Sequence, residues 1–220
     1  MEMKIAIDGP AGAGKSTLSR VLARDLGFVY IDTGAMYRAL TLRAQQRGIN
    51  LHDDPALCAL ANSINIHFES RAGIQGVFCD GEDITDAIRS PEVNSEVSIV
   101  ASHPQVREIM VKKQQNMAQT SNVIMDGRDI GEQVLPDAEF KFFLTAGLQE
   151  RAQRRAMEME SQGYYIDKNV IEEDMQKRDR MDSEREVGAL KILVDSIVID
   201  TSERTADEVL AHILSIIGEG

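Results

Sequence analysis

Basic residues are in short supply. The 220-residue chain has 24 Lys and Arg against 36 Asp and Glu, a net charge of −12. So acidic a surface argues against general binding to nucleic acid or to anionic membrane, and any anionic ligand must meet cations gathered locally. Cysteine is nearly absent. Cys58 and Cys79 form no C-x-x-C pair and no disulfide framework, which fits a reducing cytoplasmic setting and reads as two small buried hydrophobes. The four histidines (His52, His67, His103 and His212) are scattered; none pairs at metal-ligand spacing, and they receive no function. No apolar run approaches the ~20 residues of a membrane span. Met1 to Lys4 is too short and too polar a start for a signal peptide, so none is expected. Repeats and low-complexity segments are also missing.

What is present has the size of a single domain, residues 1–220. Hydrophobic residues make up 43% of it, and a chain this long buries roughly 70% of its unfolded surface without a disulfide or metal staple. Five short apolar segments read as strands: Lys4 to Asp8, Phe28 to Ile31, Val123 to Asp126, Phe140 to Leu144 and Ile197 to Asp200. Helical periodicity fills the gaps. One helix carries Leu18, Val21, Leu22 and Leu26 and stops at Gly27. Another runs from an Asp32-Thr33 cap to about Arg47. Asp54-Pro55, Ser90-Pro91 and His103-Pro104 open further helices. Charged helical stretches cover about 148–162 and 168–182. A capping box, Thr205 to Glu208, opens the last helix, which ends at Gly218. Strands spaced by helices predict an α/β fold, a five-stranded parallel sheet with helices on both faces.

Between the second and third of these strands the period changes. Ile64, Ile66 and Phe68 alternate, Gly73 and Gly76 interrupt, Val77 to Cys79 resume, and Asp80-Gly81 suits a hairpin turn. Residues 64–84 are therefore expected to form a small antiparallel β-insert, part of an appendage over the carboxyl edge of the sheet, where ligands bind in open α/β folds.

Gly9 to Thr17 (Gly9, Pro10, Ala11, Gly12, Ala13, Gly14, Lys15, Ser16, Thr17) fits G-x-x-x-x-G-K-[ST] without a mismatch. A nucleoside triphosphate carries about four charges on a flexible chain, and a loop that holds it must turn successive N–H groups inward. Glycines at 9, 12 and 14 permit that curl. The helix that follows adds its positive end, Lys15 reaches the β/γ-phosphates and Ser16 offers a hydroxyl to Mg²⁺. An apolar strand before the loop and a periodic helix after it are the context this mechanism needs.

A phosphate loop states only that a nucleotide binds. The guanine-reading N-K-x-D element of GTPases is absent (Asp167-Lys168-Asn169 does not match), and only DGRDIG, Asp126 to Gly131, approaches a D-x-x-G switch. That leaves a small kinase moving the γ-phosphoryl group to a second bound molecule. Arginines in three separate segments fit a phosphate-bearing acceptor: DTGAMYR (Asp32 to Arg38), DGRD (Asp126 to Asp129), and Arg178, Asp182 and Arg185 at helical spacing.

IDGPAGAGKST, DTGAMYRA, the β-insert, VNSEVSIVASHPQVRE, MDGRDIG and KRDRMDSER together resemble the cytidylate kinase family, the CMP- and dCMP-phosphorylating branch of the nucleoside monophosphate kinases, over essentially the whole chain. The resemblance implies an adenylate-kinase-like core, an acceptor region over 33–120 that includes the insert, and a short lid over 150–167. It implies ATP and Mg²⁺, CMP and dCMP as acceptors, and a monomer without nucleic-acid or membrane partners. It also implies that Ser98, Arg107 and Asp129 meet the cytosine edge, that Arg178 and Asp182 hold the sugar hydroxyls, and that Thr33, Arg38, Arg128 and Arg185 take the acceptor phosphate. Cytosine presents an amino donor beside two acceptors, which suits a carboxylate next to a guanidinium or hydroxyl; uracil would present an acceptor where the carboxylate sits.

From spacing alone the plainer readings stand beside these. Ser98 is a neutral residue on a helix, Arg107 faces solvent, and Asp182 with Arg178 is an exposed i,i+4 pair. Tyr37 packs either beneath the acceptor or in the helix core. Asp126 either stands behind Mg²⁺ or caps the DGRD turn. Arg151, Arg154 and Arg155 either clamp the migrating phosphoryl from the lid, with Arg155 counted among the catalytic cations Lys15, Arg128 and Arg185, or pair with local acids such as Glu150. An acceptor phosphate oxygen is already ionised and needs no general base, so positioning and charge neutralisation carry the reaction. Two other readings remain: a related kinase for an acceptor such as UMP, and a nucleotide-gated binding protein.

Overall fold

The computed structural model describes residues 2–71, 74–161 and 163–219. Gly73, expected to interrupt the insert, and residue 162, expected to end a helix, lie outside them. In chain order the elements are β1 (Lys4–Asp8), α1 (Lys15–Leu26), β2 (Val29–Asp32), α2 (Thr33–Gln46), α3 (Asp54–Ser63), β3 (Ile66–Arg71), β4 (Ile74–Cys79), β5 (Glu82–Asp83), a 3₁₀ turn (Ala87–Arg89), α4 (Pro91–Val100), α5 (Pro104–Met117), β6 (Val123–Gly127), a π-helical turn (Ile130–Val134), β7 (Phe140–Thr145), α6 (Leu148–Ser161), α7 (Lys168–Ser183), β8 (Ile197–Asp200) and α8 (Ala206–Glu219). They fall into two compact units, Met1–Tyr30 with Ser121–Gly220, and Ile31–Thr120.

The first unit is built on the expected five-stranded sheet, in the order β2-β6-β1-β7-β8. β1 pairs in parallel with β6 and with β7, setting Ile5 opposite Ile124 and Phe140. β8 runs parallel to β7, with Leu144 opposite Ile199. Alternate strand residues share a face, and Ile5, Ile7, Phe142, Leu144 and Ile199 form one core with Leu18 and Leu22 of α1 and Val209 and Ile213 of α8. Burying each such side chain contributes about 1.5–3 kcal/mol. The register also aligns the ends of the strands: Asp8 stands opposite Gly127 and Phe143. The loop after β1 therefore opens where β6 and β7 finish.

Strand β2 begins at Val29, one residue later than the apolar pattern suggests. Gly27 closes α1 in a left-handed conformation (φ 70°), and the Phe28 N–H turns back to the Ala23 carbonyl at 2.8 Å. That capping motif uses the donor a strand residue would have offered to its neighbour.

The second unit packs α2 against α4 and α3 against α5, with a separate antiparallel sheet β3-β4-β5. Ile66 stands opposite Cys79 and Phe68 opposite Val77, and the turn into β5 places Asp80 at φ 54° and Gly81 at φ 83°, the signs a two-residue hairpin requires. Two details differ from expectation. Asp53, and not Asp54, caps α3, its carboxylate accepting from Ala56 N at 3.0 Å; an N-cap reaches the N–H three residues on, and Asp54 is free to approach His103 Nδ1 at 3.2 Å. Cys79 is fully buried but Cys58 only half so, because its helix face borders Asp54 and Gln105. In the first unit, α8 runs through Gly218 to Glu219. Among the described residues no helix is long and apolar enough to cross a membrane.

Candidate active site

The loop between β1 and α1 has the curl its glycines permit. Gly9, Gly12 and Gly14 all take positive φ (147°, 75° and 87°). At Gly9 the approach is too close for any side chain: a Cβ there would lie 2.1 Å from the Leu144 carbonyl oxygen. Gly14, left-handed, precedes α1 without a side-chain cap, so the first N–H groups of the helix are left for an anion. Lys15 is buried (6% exposed), and its ammonium donates to the Pro10 carbonyl at 2.8 Å. Burial and then the Arg128 and Arg178 charges pull its pKa down to about 7, against Asp126 and Asp8. Ser16 Oγ donates to Asp126 Oδ2 at 2.8 Å, and Tyr30 Oη donates to Asp126 Oδ1 at 2.6 Å. The strand-end aspartate thus stands behind the P-loop hydroxyl. Hydroxyl and carboxylate are the hard oxygen donors Mg²⁺ prefers, so the pair fits that ion.

The densest electrostatic feature is Asp182 on α7. Its carboxylate, 1% exposed, accepts from Arg128 Nε at 2.6 Å through one oxygen and from Arg185 through the other. Spacing alone suggests an exposed i,i+4 pair with Arg178; Asp182 is instead buried, met by Arg128 and Arg185. Burial alone would raise the Asp182 pKa, but Arg128, Arg185 and Arg178 together hold it below the usual carboxylate range. Burial likewise opposes the charge on Arg128, and Asp182 more than offsets it, leaving that guanidinium above its ordinary value. Asp129, also buried, precedes the π-helical turn.

Asp8, at the end of β1, was not singled out by the motif. Its two oxygens accept from the backbone N–H groups of Ile130 and Gly131 at 2.8 and 2.9 Å, tying the segment after DGRD to the strand that launches the P-loop. Burial pushes its pKa up to about 6, the two N–H groups opposing and Asp129 adding to the rise. Its type, an acid ending a buried strand, was the available signal.

The arginines of α6 do not form one group. Arg154 pairs with Glu150 at 2.8 Å, the local reading, and also donates to the Thr201 carbonyl at 2.6 Å. Arg155 pairs with the exposed Glu158 at 2.8 Å. Arg151 is buried and tied to backbone of the P-loop.

In the second unit Asp32 caps α2, accepting from Ala35 N at 2.7 Å, and its other oxygen takes Arg38 at 3.0 Å. Thr33 and Tyr37 are buried on the same helix. Arg107 does not face solvent: it is 2% exposed, donates to the Ala101 carbonyl at 3.0 Å and lies 5.4 Å from the centre of the Tyr37 ring. Ser98 is buried on α4. The second unit thus brings Tyr37 and Arg107 together, and the first brings together Lys15, Ser16, Asp126, Arg128, Asp182 and Arg185.

The cytidylate kinase family model matches residues 5–219. The chain is 50% identical to the cytidylate kinase of Geobacillus thermodenitrificans over 215 residues, 98% of this chain and 96% of that one. It is 48% identical to the cytidylate kinase of Caldanaerobacter subterraneus over 217 residues, 99% and 95% of the two. Among solved structures, an uncharacterized protein from Eubacterium ventriosum superposes with a TM-score of 0.55 at 15% identity over 100% of both chains. Shikimate kinase from Bacteroides thetaiotaomicron gives 0.50 at 12% identity over 98% of both; these two speak for the fold alone. With the P-loop, the buried arginine–aspartate cluster and a match over nearly its full length, the chain belongs to the cytidylate kinase family.

Proposed function

We propose the following division of labour for the phosphorylation of CMP and dCMP by ATP, the reaction of the cytidylate kinase family. The observation that supports it most is the buried cation cluster: Arg128 and Arg185 converge on Asp182, and Arg128 and Arg178 both bear on Lys15. In a chain of net charge −12, buried arginines gathered beside the P-loop lysine suit an anionic ligand.

The P-loop N–H groups and Lys15 receive the ATP phosphates. Lys15 donates to the Pro10 carbonyl; a polyphosphate is a stronger acceptor and favours the full ammonium charge. Ser16, with Asp126 behind it, would hold Mg²⁺, which when bound supplies charge neutralisation at the β/γ oxygens. On the acceptor side, Thr33, Arg38, Arg128 and Arg185 take the phosphate. Ser98, Arg107 and Asp129 read the cytosine edge, with Tyr37 supporting Arg107, and Arg178 and Asp182 serve the sugar. Arg155, held by a surface pair worth about 0–1 kcal/mol, is the α6 arginine best able to leave its partner for the migrating phosphoryl group. No general base is needed, because the attacking oxygen is already ionised. A lid over 150–167 would close to exclude water. Independence of nucleic acid and membrane, supported by the net charge of −12, with a cytoplasmic location and a monomeric state, completes the reading.

Coupled ADP release measured with and without CMP tests it. Release that depends on CMP and is lost in Lys15→Ala, with the fold intact by circular dichroism, is the expected result. CMP-independent hydrolysis or an unchanged Lys15→Ala rate overturns it.

A further inference from the structure

Arg151 lies in the first turn of α6, one turn before the other two arginines of that helix, yet only 7% of its side chain is exposed. Its guanidinium donates in three directions: Nε to the Ala146 carbonyl at 2.9 Å, one terminal nitrogen to the Ala11 carbonyl at 3.0 Å, and the other to Asp179 Oδ2 at 2.7 Å. The first fixes the side chain against the turn that leaves β7, the second reaches the crown of the P-loop, and the third reaches α7. A planar fork can serve three such acceptors at once; a lysine ammonium on a flexible stem cannot hold them in one plane.

The contact with Ala11 has a consequence for the nucleotide. In a trans peptide the C=O of one residue and the N–H of the next point in opposite directions. Holding the Ala11 carbonyl toward Arg151 aims the Gly12 N–H away from it. The packing agrees. A Cβ on Gly12 would lie 2.9 Å from Met175 Cε, 3.0 Å from Arg151 Cβ and 3.1 Å from the Arg151 carbonyl oxygen, so α6 and α7 both rest directly on the loop. Ala11 in turn packs against the small core that Ala152, Met159, Ile171 and Met175 form between those two helices.

The contact with Asp179 has a consequence for the acceptor side. Asp179 adjoins Arg178 and lies three residues before Asp182, less than one helical turn. Fixing Asp179 fixes the rotation of α7, and with it the direction in which Arg178, Asp182 and Arg185 project.

We infer that Arg151 is a positioning residue that fastens α7 to the P-loop, setting a phosphate-binding N–H and the acceptor-side arginines in one frame, and that it does not itself clamp the migrating phosphoryl group. This rests on the kinase reading above; failure of that reading shows as absence of CMP-dependent turnover in the wild type, whereas failure of this inference shows only in the variants.

The test is a kinetic double-mutant cycle on the full chain with Arg151→Lys, Asp179→Asn and the pair, each first checked for its melting transition. Positioning predicts that Arg151→Lys, although it keeps the charge, lowers kcat at least tenfold and raises the KM for ATP. It predicts that Asp179→Asn lowers kcat severalfold, and that the pair is no worse than Arg151→Lys alone, because Asp179 acts only through Arg151. A clamp predicts the reverse: Asp179→Asn leaves kcat unchanged or raises it by releasing the guanidinium, and the two effects multiply. Either of those results overturns the proposal, as does a pair of single variants with lowered melting temperature and wild-type kinetics per folded molecule. Should Arg151→Lys fail to fold, Asp179→Asn alone decides, by a fall in kcat or its absence.

Discussion

Ser16 and Asp126, 110 residues apart in sequence, are joined by a 2.8 Å hydrogen bond in which the P-loop hydroxyl donates to the carboxylate. The strand register makes this possible: Asp126 lies beside Ile7, two residues before the P-loop begins. The same carboxylate is held from its other side by Tyr30. Asp126→Asn keeps the shape and removes the charge. The half-saturating Mg²⁺ concentration for turnover should rise about tenfold, about 1.4 kcal/mol, with the fold retained. A Mg²⁺ titration identical to wild type would limit Asp126 to anchoring Ser16 and Tyr30.

Asp182→Asn removes the charge shared by Arg128 and Arg185. Leaving buried guanidiniums without their carboxylate costs about 3–5 kcal/mol when a buried pair is broken, and the amide, which still accepts one bond, recovers part of it. The variant should lose roughly 3 kcal/mol of stability in urea unfolding and raise the KM for CMP at least tenfold, about 1.4 kcal/mol, with the KM for ATP nearly unchanged. A CMP KM within about twofold of wild type would separate Asp182 from the acceptor site.

Asp129→Asn addresses base choice. A charge-assisted bond to the cytosine amino group is worth about 1.5–3 kcal/mol, so kcat/KM for CMP should fall by roughly one to two orders of magnitude, while ATP is bound as before. Efficiency with UMP relative to CMP should rise, since the repulsion between a carboxylate and the uracil carbonyl is relieved. Equal weakening toward ATP and CMP would give Asp129 a structural role.

Asp8 carries a pH signature. Its pKa in the fold is about 6, above the ordinary 3.8, so between those values the native state holds a proton that the unfolded chain has released. Stability from this group is fully present below pH ~4 and is lost as pH rises through ~6, about 3 kcal/mol in all. Asp8→Asn has no such slope. Urea unfolding of both proteins at pH 4.5 and pH 7 should show wild type losing stability relative to the variant as pH rises; a constant difference would mean that Asp8 ionises in the fold at its ordinary value.

Much of the core was open to inspection in the linear chain. KIAID, the glycine loop and the Leu18–Leu22 helix spacing are short-range patterns, each formed by the backbone demands of neighbouring residues, and they assembled as those patterns require. The cap of α2 and the capping box at Thr205 are equally local, the latter closing with Glu208 Oε2 accepting from Thr205 N at 2.8 Å. Element boundaries shift by one residue where two local devices compete for the same backbone group, as at Phe28, or where two aspartates stand side by side, as at Asp53 and Asp54.

Long side chains were another matter. Arg107, Asp182 and Arg151 all carry charge on side chains whose sequence spacing does not distinguish a solvated surface from a desolvated cluster; family resemblance implies a role for the first two, and spacing leaves the third as one more cation of the lid segment. The sequence by itself determined the phosphate loop, the alternation of strands and helices and the family, because each follows from neighbours in the chain. Only the tertiary structure decided which carboxylate meets which arginine and that Asp8 grips the turn after DGRD. Those pairings join residues up to 123 positions apart, as Asp8 and Gly131 are. They form because the sheet brings the ends of β1, β6 and β7 to one edge, where a buried charge must find a partner or pay its desolvation.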